Sequence, residues 1–259
     1  MKKFPKFLAA GAMALTVLAG CGSEGAGTSV ELKDGDTVKV GLNYELSGST
    51  ATYGLAMDKG SKLAIKQYNE NENSKYKIEV VSQDCKSDST EAQSIASKLM
   101  TEEKVAFQVG PATSIDSIAT YPISTDAGVP VISPAVTQNG GMLDSSGTAY
   151  PYAWRVCFED NAQANAMAIF AYNTLGKRKA VVYGDSSNDY ATGLAKDFTE
   201  KFEALGGEVV ESENYVSGDT DFNAVLSNLT DVDFDVMYVP GYYNEAGLII
   251  KQARAAGLD

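Results

Sequence analysis

Hydrophobic and polar positions along this chain switch repeatedly between a period of two and a helical period, and the switching sets the layout. Thr37 to Tyr44, TVKVGLNY, alternates as a strand and runs into a small polar turn, Glu45 to Thr50. A helical pattern follows through Tyr53-Gly54, with Leu55, Leu63, Ile65 and Tyr68 plus Ala56 and Ala64 as its expected apolar face. Tyr76 to Gln83 reads as the next strand. Asp88, with Glu91 three residues on, forms a capping box for a helix that turns Ile95, Leu99 and Met100 inward. Two short apolar strands come next, Val105 to Val109 and Val129 to Ser133, separated by a helix that Ser114 opens. Each ends in small polar residues: Gly110-Pro111-Ala112-Thr113-Ser114 after the first, Pro134-Ala135-Val136-Thr137 after the second.

Between Gly140 and Cys157 the pattern pauses in a Gly-, Ser- and Tyr-containing loop that feeds a crossover strand, and a domain boundary is expected near Val156. Alternation then resumes: helix Asn161 to Leu175, strand Lys179 to Tyr183, helix Tyr190 to Leu205, strand Glu208 to Glu213. Helix Asp221 to Leu229, strand Phe234 to Val239 and helix Glu245 to Ala256 complete it. Unbroken strand–helix alternation predicts an α/β fold of two doubly wound parallel-sheet lobes, residues 37–156 and 157–259, with an interlobe cleft. In such sheets the turns after parallel strands share one edge. Ligands bind there, because free N–H groups and helix N-termini favour an anion. Ser114 and Thr137 are therefore candidate ligand groups, and Tyr190 and Tyr242 lie in strand-end segments that would form the opposite wall. The same residue types also serve as turn formers, helix caps and sheet-edge packing.

The N-terminus changes the picture. Lys2, Lys3 and Lys6 precede the apolar run Phe7 to Leu18 and the box Leu18-Ala19-Gly20-Cys21, the pattern of a secretory signal over residues 1–20. The box resembles the bacterial lipoprotein cleavage site, in which Cys21 becomes the acylated first residue, so 21–36 is expected to be a lipid-anchored flexible tether. Loss of residues 1–20 leaves 18 basic against 34 acidic residues, a net charge of −16, which argues against nucleic acid as a partner. Cys85 and Cys157 either pair or stay as free thiols. The chain has no histidine, so Ser-His-Asp, Cys-His and His-metal chemistry are excluded. No G-x-S-x-G nucleophile elbow and no Walker loop occurs. Asp219-Thr220-Asp221 opens like a calcium loop, but Ala224 and Thr230 stand where its Gly and Glu belong, so it reads as a solvated turn that starts a helix.

Several segments fall in the order and spacing of a known family. They are Leu46-Ser47-Gly48 to Tyr53-Gly54, Val109-Gly110-Pro111 to Ser114, Ile132-Ser133-Pro134-Ala135 to Thr137, Trp154-Arg155-Val156, Asp189-Tyr190, and Gly241-Tyr242 to Gly257. In these the chain, from about residue 37 onward, resembles the branched-chain amino-acid (leucine/isoleucine/valine) substrate-binding proteins of ABC transporters, a type I periplasmic-binding-protein fold. The resemblance implies that Ser114 and Thr137 hold the ligand α-carboxylate and that the Ala135 carbonyl accepts from the α-ammonium. It implies that Tyr53 lines the side-chain pocket while Tyr190 and Tyr242 close over the ligand. It further implies no enzyme activity and no cofactor. The implied partners are a small-molecule amino-acid ligand, the transmembrane subunits of an ABC permease and, through Cys21, the outer face of the cytoplasmic membrane. A sensing module of the same fold for a membrane signalling partner, or a receptor for amides or urea, stands as the alternative. Family members continue beyond the position of Asp259, so the second lobe is expected to be incomplete and the acidic partner of the α-ammonium to lie further on. The family's disulfide would join the region of Cys85 to a position that is Thr113 here, so that bridge cannot form.

Overall fold

The computed structural model describes residues 32–258, so the expected signal, Cys21 and most of the tether lie outside the described residues. Within them the chain forms two parallel sheets. The first contains β1 (Thr37–Tyr44), β2 (Lys77–Asp84), β3 (Phe107–Val109), β4 (Val131–Ser133) and β5 (Ala153–Arg155), in the order β2-β1-β3-β4-β5. The second contains β6 (Lys179–Asp185), β7 (Glu208–Tyr215) and β8 (Val236–Tyr238), in the order β7-β6-β8. Every ladder between these strands is parallel, as the alternation requires. The connecting helices are α1 (Ala51–Glu70), α2 (Ser89–Thr101), α3 (Ser114–Ala127), α4 (Asp160–Ile169), α5 (Asp189–Ala204), α6 (Asn223–Leu229) and α7 (Tyr243–Ala256). A π-helical turn, Phe170–Thr174, extends α4.

Both sheets are covered on two faces, which is why their central strands read as continuous apolar runs. Along β6, Ala180 and Val182 pack on Leu194, Phe198 and Phe202 of α5, whereas Val181 and Tyr183 pack on Leu226 of α6 and Ile249 of α7. Along β1, Val40, Leu42 and Tyr44 form one cluster on the α1 side. On the other face Gly41 admits Leu99 of α2 so closely that a Cβ there would stand 2.9 Å from its Cδ1.

Two expectations need correction. Leu55 and Leu63 are exposed, and the inward side of α1 runs instead through Gly54, Met57, Asp58, Ser61 and Ile65. The reason is a close approach: a Cβ at Gly54 would lie 2.1 Å from the Glu45 carbonyl oxygen, so only glycine lets this helix seat on the turn below it. Asp58 is then buried with two partners, Lys62 Nζ at 2.8 Å and Ser82 Oγ at 3.2 Å. The short strands are also narrower than their apolar runs, since Val105 and Val129 pack as core residues outside β3 and β4. Cys85 and Cys157 are both free thiols.

Apolar groups remain open along two strands. Trp154, Val156 and Phe158 are exposed beside β5, the last strand of the first sheet. A groove of about 570 Å³ lined by Met167, Phe234, Val236, Tyr238 and Ile250 runs beside β8, at the end of the second sheet. Unpaired edges with apolar side chains template association. A polypeptide of residues 22–259 is therefore expected to show a light-scattering mass that grows with concentration, and lysines in place of Trp154 and Val156 should reduce that growth. A concentration-independent monomer with a sharp, reversible thermal transition would count against this.

Candidate functional site

The strand orders fix where loops can gather. In the first sheet the order reverses between β1 and β3, and in the second between β6 and β8. At such switch points successive connections leave toward opposite faces and open a crevice at the carboxyl ends of the strands. Around the first lie the turn after β1, the Gly110–Thr113 loop after β3 and the Pro134–Thr137 loop after β4. Around the second lie Ser186–Asn188 after β6 and Pro240–Tyr242 after β8.

The two sets of loops face each other across a cavity of about 140 Å³. Tyr53, Ser114, Ala135, Thr137, Tyr190 and Tyr242, the six residues singled out from the sequence, all line it. Met57, Ala112, Thr113 and Gln163 line it as well. Met57 lies one helical turn after Tyr53, a spacing that could have pointed to it. Gln163, on α4, carries no such signal and reaches the cavity only because α4 packs against α5. Pockets for drug-sized ligands span roughly 300 to 1,000 Å³, so this one suits a far smaller molecule.

The first turn of α3 supplies hydrogen-bond donors. Of its N–H groups, that of Thr113 donates to the Glu45 carboxylate at 2.9 Å, and that of Asp116 donates to the Thr113 hydroxyl at 3.4 Å. The N–H groups of Ser114 and Ile115 have no carbonyl four residues back within the helix and no hydrogen-bond partner among the described residues, so they can meet an anion at its positive end. Ser114 Oγ accepts from the Gln138 N–H at 3.3 Å, which leaves its own proton to donate into the cavity. Ala135 brings a backbone carbonyl, an acceptor, from the neighbouring loop.

Aromatic rings join the two sides. Tyr190 and Tyr242 stack at 5.4 Å between ring centroids, and Tyr53 meets Tyr242 at 6.0 Å and Tyr243 edge-on at 5.2 Å. Two hydrogen bonds accompany them: Thr52 N–H to Tyr243 Oη at 3.3 Å and Asn244 Nδ2 to the Ser49 carbonyl at 2.8 Å. Burial pushes the Tyr53, Tyr190 and Tyr242 phenols above their ordinary range, so each remains a neutral donor. No lining residue carries a formal charge. The nearest acids stand behind the wall. Asp160, which begins α4, is buried behind Thr137, whose carbonyl accepts from the Asp160 backbone N–H at 2.7 Å. Burial lifts its pKa to about 6, with the Thr137 hydroxyl beside it pulling the other way.

A family model described as "Periplasmic binding protein" matches residues 37–259. The leucine-, isoleucine-, valine-, threonine- and alanine-binding protein of Pseudomonas aeruginosa is 30% identical over 225 residues, which cover 86% of this chain and 59% of that protein. Among solved structures, the branched-chain amino acid transporter substrate binding protein LivJ from Streptococcus pneumoniae, in complex with isoleucine, is 43% identical with a TM-score of 0.80. The match covers 86% of this chain and 62% of that one. The leucine binding protein LivK from Thermotoga maritima is 34% identical with a TM-score of 0.77, over 85% of this chain and 61% of that one. The chain thus spans about three fifths of the length of these relatives.

Asp160 gives a test of the electrostatics. Its folded pKa stands above the value near 3.9 of an unfolded Asp, so stability tied to it is present below about pH 4 and declines as pH rises toward 6. Asp160→Asn is expected to raise the unfolding midpoint relative to the parent at pH 7 and to lose that advantage at pH 4. Equal differences at both pH values would remove the assignment.

Proposed function

The chain belongs to the periplasmic binding protein family, and from that premise we propose that it is the substrate-binding component of an ABC importer for a small aliphatic amino acid. One observation carries the reading: donors at the start of α3 and an acceptor on the neighbouring loop share a small, uncharged cavity. A net charge would be expensive in such a place, whereas a zwitterion brings its own compensation and finds a donor and an acceptor side. Ser114, with the N–H groups of Ser114 and Ile115, takes the α-carboxylate, and Thr137 adds its hydroxyl. The Ala135 carbonyl accepts from the α-ammonium. Met57 and the faces of Tyr53, Tyr190 and Tyr242 surround the aliphatic side chain. The protein binds its ligand without transforming it and uses no cofactor.

Residues 37–156 and 157–259 act as the two lobes, and the contacts of Tyr53, Tyr242 and Tyr243 hold them closed. Closure removes the ligand from water, and the closed shape is what the permease subunits recognise. The protein works outside the cytoplasm, as family membership supports, and Cys21 carries the lipid that tethers it to the membrane surface.

Leucine, isoleucine or valine at about a hundred times its dissociation constant should add about 2.7 kcal/mol of stability and shift the unfolding midpoint visibly. Benzoate, which lacks an ammonium, and urea, which lacks a carboxylate, should not. Ser114→Ala removes a hydrogen bond to a charged group, so affinity should fall by roughly tenfold to a hundredfold, equivalent to about 1.5–3 kcal/mol. A shift with benzoate and none with the three amino acids would reject the reading.

A further inference from the structure

Directly beneath the cavity lies a group of side chains that the binding reading does not use. Glu45, fully buried in the turn after β1, accepts from the backbone of the α3 loop. Its Oε1 takes the Ala112 N–H at 3.1 Å and the Thr113 N–H at 2.9 Å, and its Oε2 takes the Ala112 N–H at 2.9 Å. These are the two residues that lead into Ser114. Asp116, buried on the first turn of α3, lies beside Glu45: a carboxylate oxygen of each and Cys85 Sγ all lie within 4.8 Å of one another.

The other titratable groups facing the pair are Tyr44 at the end of β1, Cys85 after β2, Asp88 at the start of α2 and Tyr242 across the cleft. None of them is a cation. Two buried carboxylates this close, faced by no cationic side chain among the described residues, hold one proton between them. Glu45 accepts from the backbone N–H groups of Ala112 and Thr113, and Asp116 keeps the proton, its pKa pushed up to about 7 by burial and by the neighbouring Glu45 carboxylate.

We propose that Glu45 and Asp116 form a one-proton positioning pair that holds the Ala112–Ser114 loop, so that affinity for a ligand carboxylate falls when the pair loses its proton. Ionised Asp116 would repel Glu45, loosen its hold on the loop, and place a second negative charge behind the helix end that meets the ligand. The affinity part rests on the amino-acid reading above. The pair itself does not.

The experiment measures leucine affinity by calorimetry from pH 5 to 9, and ligand-free unfolding from pH 4 to 8, for the parent, Asp116→Asn and Glu45→Gln. The parent's affinity should decline above about pH 7, by up to about tenfold per pH unit for one linked proton. Asp116→Asn, whose amide donates to Glu45 as the protonated acid does, should give a flat profile. Any contribution of Asp160 is common to both proteins and cancels in the comparison. Glu45→Gln should bind at least tenfold more weakly at every pH. Without ligand, the parent should lose stability relative to Asp116→Asn between about pH 4 and 7, because the folded pKa is the higher one. This arm tests the pair even if leucine binds none of the proteins, an outcome that would sink the amino-acid reading alone. Parallel pH profiles for the parent and Asp116→Asn would overturn the proposal, as would a metal ion retained through chelation.

Discussion

Parallel pairing within each sheet is the constraint on which the rest of this molecule depends. A parallel sheet must send every connection back over its face, so all its strands end on one edge, and the polar turns that end them are collected there without further instruction. Two sheets built this way present two such edges, and their switch points face each other across the cavity. The close approaches follow from the same crowding. Gly110 has φ +89°, and a Cβ there would stand 2.3 Å from the Asn43 carbonyl oxygen, so the β3 loop lies directly on the end of β1.

Electrostatics in the site are layered. The cavity wall holds hydroxyls, amides and phenols, while Glu45, Asp116 and Asp160 sit one layer behind it. That arrangement suits a ligand with internal charge balance, since fixed dipoles meet its charged ends without a full counter-ion. It also makes Asp116 and Asp160 sensitive reporters, because burial lifts both above the range of an exposed carboxylate.

Much of the site was legible because turn chemistry is local. Small polar residues after short apolar strands marked Ser114 and Thr137, Tyr190 and Tyr242 lay in the strand-end segments of the second half, and Ala135 and Tyr53 came only from the family resemblance. Gln163 and Glu45 were not legible. Gln163 lies in the first turn of an ordinary helical pattern, and Glu45 begins a small polar turn, yet one lines the cavity and the other is fully buried. The expected face of α1 failed for a related reason. Leu55 and Leu63 carry the hydrophobicity, but seating on Glu45 requires the one position without a side chain, Gly54, and that contact set the helix rotation.

By itself the sequence determined the order and type of the elements, their parallel pairing and the edge on which ligand groups gather, because periodicity and turn residues act over a few positions. The tertiary structure alone decided which side of α1 faces inward, that Cys85 and Cys157 stay apart, and that a carboxylate from the β1 turn anchors the α3 loop. These depend on contacts between residues far apart in the chain. Glu45 and Thr113 are 68 positions distant, and no local pattern encodes that the N–H of one finds the buried oxygen of the other.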